Sequence, residues 1–391
     1  MYSISRFHQL MNLLPRGAFD RAVRTHQADK HRKGFACWDQ LLVMVYAQLC
    51  GAGSLRSVTA GFNAQASHHY HLGTAPVRRS TLADANAATT PAVFADTARA
   101  LMARAHRQVR REGHELLYLL DSTSITLKGR GFDDWTVGQR TRHTQGLKLH
   151  LLYAAEHQLP CQADFSPANV NDIDHARSLP LQPGVRYVFD KAYCDYGWWN
   201  AIGQAGSRFV TRFKRNAAVR VEQSRPIEAA AQNQVLADET VCFRHRHNRA
   251  GHTNPYQAAL RRITVVREGK QPLVLATNDL DSPALAIAEH YRARWGIELY
   301  FKWIKQHLRI KRFLGRTENA VKIQILTALI AYLLLVLYRD RHAPGQSLWE
   351  CLSLLGTSLF QRPEVEAYRR ACYERQRRCA LLLDQQHVLP L

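Results

Sequence analysis

Hydrophobic and polar positions change their period twice along the 391-residue chain. Up to about residue 112 the apolar positions recur at helical spacing. In WDQLLVMVYAQLCGAGSLRSV, Trp38, Leu41, Leu42, Val45 and Leu49 fall on one helical face. Gly51 and Gly53 stop that helix, Ser54 can cap the next, and Leu55, Val58 and Phe62 supply its apolar side. After HHYHLGTAP, the stretch RRSTLADANAA starts another short helix, with Ser80 or Thr81 as its cap. From residue 115 the pattern is that of strands: ELLYLLDSTSITL, then GLKLHLLYAAE with Leu147, Leu149 and Leu151 on one face, then LPCQADFSPA. A polar loop and helix run through NVNDIDHARSL, followed by a strand in GVRYVFD, a helix behind it, and the strand SRFVTRFK. Three adjacent strands followed by strand–helix alternation predict an α/β fold, a mixed sheet flanked by helices. Residues 213–284 have another texture, with strands predicted in ETVCFRHRH, YQAALRRITVV and QPLVLATND, and read as a β-rich insertion. A long helical part begins at about Leu285, with Ser282 as candidate cap and Pro283 just behind it.

Charge changes the picture. Lys and Arg number 53 against 32 Asp and Glu, a formal charge of +21. Such an excess repels itself in a compact chain and calls for a polyanionic partner: nucleic acid first, an anionic membrane surface as the rival. The longest apolar run, ILTALIAYLLLVLY from Ile325 to Tyr338, is shorter than the ~20 residues a membrane span needs and predicts a buried helix. The first residues, MYSISRFHQLMNLLPRGAF, carry no long apolar segment and no export signal. None of the eight cysteines forms a C-x-x-C pair, which suits reduced thiols in a cytoplasm and not a zinc site. The histidine groups HHYH and RHRH read as exposed basic loops. With Arg78 and Arg79 beside a helix start, the short N-terminal helices suit a DNA-binding module; an ordinary helical bundle with a basic surface is the alternative.

Three carboxylates carry the candidate chemistry. Asp121 follows YLL inside a strand too apolar to face water, and RYVFD puts Asp190 at the end of a second buried strand. A lone Asp ending a strand is usually a turn former. Two from adjacent sheet positions can converge on a divalent cation, which takes carboxylate oxygens and keeps waters. Asp133, Asp134 and Asp195 are nearby rivals, less fixed in direction because they lie off the strand ends. Glu298 sits in YRARWGIELYFKWIK. At about 100° per residue, Tyr291, Arg294, Glu298 and Lys305 fall within roughly 60° of arc, joined by Lys302, while apolar groups cover much of the rest. The stretch reads as one helix buried on most sides, with a polar stripe opening on something charged. An Arg294 to Glu298 surface pair is the plainer alternative.

The spacing Tyr-x2-Arg-x3-Glu-x6-Lys, matched by Tyr291, Arg294, Glu298 and Lys305, resembles the signature of a large branch of bacterial insertion-sequence DDE transposases. FDKAYCDYGWWNAIGQAGSRFVTRFKRNA is similar to that branch's second-aspartate region, YLLDSTSITL to its first, and FHQLMNLLPRGAFD through RRSTLADAN to its N-terminal helical domain. The resemblance implies an RNase H-like catalytic domain with a β-rich insertion before the glutamate helix. The expected organisation is a helical, DNA-binding domain over 1–112, the first part of the catalytic core over 113–212, the insertion over 213–284, the second part with the glutamate helix over 285–340, and a helical C-terminal tail over 341–391. It implies that Asp121, Asp190 and Glu298 hold two magnesium ions, which manganese can replace. It also implies that Tyr291, Arg294 and Lys305 hold DNA phosphates. Arg78, Arg79, Arg212, Lys214 and Lys302 are further candidate DNA contacts. Some members stack a flipped base on an insertion tryptophan. Here no Trp lies between Trp199 and Trp295, which leaves Phe243 and Tyr256 as aromatic candidates.

The expected partner is double-stranded DNA, both transposon ends and target, bound by a homodimer in a synaptic complex; no membrane is expected. The expected setting is the bacterial cytoplasm, at the nucleoid. The activity is cleavage of transposon ends and their joining to target. A metal-dependent nuclease without strand transfer, or an inert DNA-binding regulator, is the alternative.

Overall fold

One mixed sheet runs through the computed structural model, which describes residues 5–110, 116–214, 217–245 and 253–363. Its nine strands are β1 (Leu117–Thr126), β2 (Gly146–Ala154), β3 (Leu159–Pro167), β4 (Arg186–Phe189), β5 (Arg208–Arg212), β6 (Val219–Ser224), β7 (Val235–Phe243), β8 (Leu260–Arg267) and β9 (Lys270–Thr277). They lie in the order β3-β2-β1-β4-β5-β9-β8-β7-β6. β1, β2 and β3 pair antiparallel, and β4 and β5 run parallel to β1. Three antiparallel strands followed by two parallel ones form an RNase H-like sheet. β9 joins β5 antiparallel, and β8, β7 and β6 continue from it, so the insertion extends the sheet past its fifth strand.

The chain divides into two compact units. One comprises Arg99–Gln306 with Arg316–Glu318, the other Met1–Ala98, His307–Gly315 and Asn319–Leu391. The expected second part of the catalytic core is therefore divided: residues 285–306 belong to the sheet unit and 319–340 to the helical one.

The helical unit begins with α1 (Arg6–Met11), α2 (Arg16–Thr25), α3 (Cys37–Leu49), α4 (Leu55–Asn63), α5 (His69–Leu72), α6 (Arg79–Ala88) and the start of α7 (Ala92–Arg110). Ser54 caps α4 as expected, its hydroxyl accepting from Ser57 N–H at 3.1 Å. α6 differs from expectation. Its N-cap position is Arg78, and Ser80 and Thr81 lie inside the helix. The HHYH group is not simply exposed, because His69 is buried with Nε2 3.0 Å from the Phe62 carbonyl.

In the sheet unit five helices follow: α8 (Asp133–Thr136), α9 (Asp172–Ala176), α10 (Tyr196–Gln204), α11 (Ala284–Ala293) and α12 (Trp295–His307). The alternation of β1 and β4 sends Tyr118, Leu120, Tyr187 and Phe189 into one core with Tyr193, Trp198 and Trp199. The other face of β1 receives α12. Gly296 lies against Leu119 there, with room for a methyl group in ordinary contact at 3.6 Å from Leu119 Cδ1. α11 starts after Pro283, not after Ser282, whose hydroxyl instead donates to Asp279 at 2.6 Å. β6 was not expected: it is an edge strand with only Val219 buried, so VRVEQS lacks the alternation that marks a half-buried strand.

Among the described residues, α13 (Glu318–His342) and α14 (Leu348–Ser358) complete the helical unit. α13 is long and apolar enough to cross a membrane, yet 89% of its most apolar window is buried inside the protein. It is the core helix that ILTALIAYLLLVLY predicts. Residues 364–391 of the expected C-terminal tail, and Arg246 and His247 of RHRH, lie outside the described residues.

Candidate active site

Parallel pairing sets the first two carboxylates. Leu119 is in register with Val188 and Leu120 with Phe189, so Asp121 and Asp190 follow at neighbouring strand positions. Asp121 Oδ1 accepts the Ser122 N–H at 2.8 Å. Asp190 caps a short 3-10 turn over Lys191–Tyr193 and accepts the Lys191 N–H at 2.7 Å. Arg212, the last residue of β5, has Nη1 3.8 Å from Asp190 Oδ1.

The helical side brings Glu298 to the same corner. α11 ends at Ala293 and α12 begins at Trp295, with Arg294 as the joint. The continuous helix expected over 291–305 is thus broken at its arginine. Arg294 Nη2 lies 2.5 Å from Glu298 Oε1, and Nη1 lies 3.7 Å from Asp121 Oδ2. One guanidinium therefore spans a carboxylate on the sheet and one on the helix. Its carbon stands 5.8 Å from the centre of the Tyr291 ring. Lys305, further along α12, donates to Thr123 Oγ1 on β1. The expected burial of the helix fails at two positions: Trp295 is 57% and Leu299 50% exposed.

Asp121, Glu298, Tyr291 and Arg294 are thus linked by pairwise contacts, with Asp190 and Arg212 paired at the neighbouring strand and Lys305 tied to β1 through Thr123. The other candidates are not. Lys214 is exposed and donates to the Cys194 carbonyl at 3.2 Å, and Lys302 is exposed on α12. Arg78 and Arg79 are exposed at the start of α6 in the helical unit. Of the rival aspartates, Asp133 accepts from Gly129 and Gln145, and Asp195 caps α10 and pairs with Arg177 at 2.6 Å. Tyr256 is buried beside Trp199 and Phe243, so it offers no open ring face.

Electrostatics at the corner favour a cation. Burial pushes the Asp121 carboxyl up to about 6; the Ser122 N–H and Arg294 oppose that rise, and the charges of Glu298 and Asp172 add to it. Burial likewise raises the Tyr291 phenol to about 12, so it is a hydrogen-bond donor at neutral pH. Beside the corner, Arg212, Arg267, Arg292, Arg294, Tyr291 and Trp295 help line a groove of about 320 Å³.

Among the described residues no three His, Cys, Asp or Glu side chains already stand close enough to hold an ion together. The donor chemistry nevertheless fits a hard divalent cation. All three candidates are carboxylates, and the positive group already between two of them is Arg294.

Sequence reasoning missed the polar groups behind Asp121. Ser122 Oγ donates to Asp172 Oδ1 at 2.9 Å, and Lys148 Nζ lies 3.0 Å from the same oxygen. The only signal was period two. Ser122 pairs across the strands with His150, and Ser124 with Lys148, which marks a polar stretch on a sheet face that is otherwise core.

The family model and the sequence relatives agree on one class. The family described as Transposase DDE domain matches residues 112–334, and a domain of unknown function, DUF4372, matches residues 3–75. "Putative transposase y4zB" of Sinorhizobium fredii is 40% identical over 291 residues, 74% of this chain and 79% of its own length. "Probable transposase for insertion sequence element IS5377" of Geobacillus stearothermophilus is 28% identical over 240 residues, 60% of each chain. Among solved structures, a piggyBac transposase synaptic complex with hairpin DNA superposes with a TM-score of 0.49 at 10% identity, covering 91% of this chain and 80% of that one.

Proposed function

This chain belongs to the DDE transposase family and is an insertion-sequence transposase, a DNA-cleaving and strand-transferring enzyme; we propose that Asp121, Asp190 and Glu298 carry its chemistry. The observation that supports this most is the single guanidinium shared by Asp121 and Glu298, next to the strand-end partner Asp190. Asp121 and Glu298 are far apart in sequence, and one side chain, Arg294, reaches both.

Members of the family use divalent metal ions. In this reading the three carboxylates hold two magnesium ions, or manganese in their place. Ions bound there supply Lewis-acid activation of the attacking oxygen and stabilise the leaving one. The chain's own residues do the rest. Each carboxylate presents oxygens from a fixed element: Asp121 from within β1, Asp190 from the residue after β4, Glu298 from the first turn of α12. Arg294 releases Glu298 and grips non-bridging phosphate oxygens, its planar fork matching them in pairs. Tyr291 donates its phenolic hydrogen to phosphate, and Lys305, braced on Thr123, adds a point charge from the far end of α12. Arg212 neutralises the strand as it passes Asp190. The same site then serves the freed 3′-hydroxyl as nucleophile toward target DNA.

The domain assignment belongs to the same reading. Residues 1–112 contact DNA through exposed bases such as Arg78 and Arg79, and the insertion over 213–284 widens the basic face, with Lys214 and Lys302 as outer contacts. Two copies hold the two ends of one element, acting in the cytoplasm on the nucleoid.

The test is cleavage and strand transfer on the DNA that flanks the protein's own gene, with magnesium and with a chelator. Asp121→Asn, Asp190→Asn and Glu298→Gln should each abolish nicking while retaining DNA binding. Full nicking by any one of them would remove that residue from the reading, and cleavage without strand-transfer products would favour a plain nuclease.

A further inference from the structure

Asp121 takes its one local hydrogen bond from its own neighbour, the Ser122 N–H. Ser122 is held in turn from the opposite face of the sheet. Its hydroxyl donates to Asp172 Oδ1 at 2.9 Å, on the first residue of α9. Lys148 from β2 donates to that oxygen at 3.0 Å and to the Val170 carbonyl at 2.7 Å, so one ammonium braces both Asp172 and the turn that carries it. This is not a solvated surface pair: the Lys148 side chain is 16% exposed and that of Asp172 23%. Below the same corner Tyr193 is buried, with its hydroxyl beside the Ser122 side chain. Burial and the charges of Asp172, Asp121 and Asp190 around it keep that hydroxyl protonated, against the opposing hydrogen bond with Ser122.

We propose that Ser122, Asp172 and Lys148 are positioning residues for Asp121: the ammonium fixes Asp172, Asp172 fixes the Ser122 side chain, and Ser122 fixes the direction in which Asp121 presents its carboxylate to a divalent ion. The inference rests on the reading of Asp121 as a metal ligand. Hydrogen-bonded partners behind metal ligands typically govern affinity by 10–100-fold.

Charge and positioning predict opposite signs at Lys148. Lys148→Met leaves Asp172 as an unpaired anion near the ion, which would tighten cation binding by electrostatics alone, whereas loss of the brace loosens it. Ser122→Ala removes the link to Asp172 with no change of charge. The experiment is Mn2+ titration of the full-length protein without DNA, followed by calorimetry, for the parent, Asp121→Asn, Ser122→Ala and Lys148→Met. Binding of end DNA in the absence of metal is measured beside it. The expected result is Mn2+ binding lost in Asp121→Asn and weakened by about tenfold or more in both Ser122→Ala and Lys148→Met, with DNA binding unchanged. If Lys148→Met does not fold, Ser122→Ala decides. Loss in Asp121→Asn alone, with Ser122→Ala at the parent affinity or Lys148→Met tighter than the parent, overturns the positioning role and leaves the site intact. Mn2+ binding that ignores Asp121→Asn overturns the site reading and this inference with it.

Discussion

Arg294 stands 2.5 Å from Glu298 and 3.7 Å from Asp121, so the positive charge at the heart of the candidate site is the protein's own side chain. Removing it leaves two acids facing each other with no counter-charge. Arg294→Gln should lower the stability of the metal-free protein. Breaking a fully buried pair costs about 3–5 kcal/mol, and because Glu298 is 34% exposed the expected loss is reduced to about 1–2 kcal/mol, a few degrees in melting temperature. Magnesium should recover part of that loss, since an ion supplies the missing charge. Melting curves with and without magnesium check this, and a loss that magnesium leaves unchanged would contradict it.

DNA binding should be steeply salt-dependent. With 53 basic residues against 32 acidic ones, many phosphates are neutralised on binding and their counterions released. If six or more phosphates are contacted, affinity should fall about thousandfold or more between roughly 50 and 200 mM salt. Fluorescence anisotropy on a labelled duplex reads the slope, and a flat response would detach the charge excess from DNA.

Much of this corner was legible in the chain. Asp121 and Asp190 could be placed because each ends a run too apolar for a surface loop, and the sheet then dictated their proximity. Glu298 could be placed because charge and large apolar groups crowd into one stretch. The break at Arg294 was not legible. Helical spacing describes a continuous helix, and only the tertiary pull of Asp121 and Glu298 on one guanidinium marks the joint. That same joint is where Trp295 and Leu299 become exposed, against expectation. The Ser122, Lys148 and Asp172 chain was hidden for a different reason. Its members come from β1, β2 and α9, and no local pattern joins them.

His150 should give the protein an acid limit. Its ring is buried, stacked on His175 with centroids 4.0 Å apart, and its Nε2 lies 2.7 Å from Ser166 Oγ. Burial, helped by the charges of His175 and Lys148 against those of Asp172 and Asp164, pushes its pKa down to about 4. In the unfolded chain it titrates near 6.5. The unfolded state therefore binds the extra proton between those values. Stability is fully present above about 6.5 and is lost as pH falls toward about 4, by about 3 kcal/mol in all. Melting temperature against pH should slope upward across that window, and His150→Gln should flatten the slope whatever it does to stability at neutral pH.

Asp279 ties the insertion side of the sheet to the start of the glutamate arm. Its carboxylate is fully buried and faces Arg186 of β4 at 2.6 Å and Arg208 of β5 at 2.9 Å. It also accepts the Ser282 hydroxyl at 2.6 Å and the N–H groups of Asp281 and Ser282 at 3.0 Å each. Burial works against the charge, but the hydrogen bonds from Ser282, Asp281 and Arg186 outweigh it and hold the carboxyl well below the usual range. Asp279→Asn would take the facing carboxylate charge from Arg186, itself buried, and the expected cost is about 3–5 kcal/mol of stability by denaturant unfolding. Arg186→Met should cost less, because Arg208 still faces Asp279, and the double variant should cost less than the sum, because the two charges face each other directly. The loop that holds Asp279 leads into α11 and, through Arg294, into α12. Loosening it should therefore also lower cleavage by a larger factor than it lowers DNA binding, since Glu298 loses its fixed approach to β1. A double-mutant cycle with simple additivity would show that the two charges do not depend on each other, and cleavage that survives the loss of Asp279 at full rate would show that α12 holds its place without that loop.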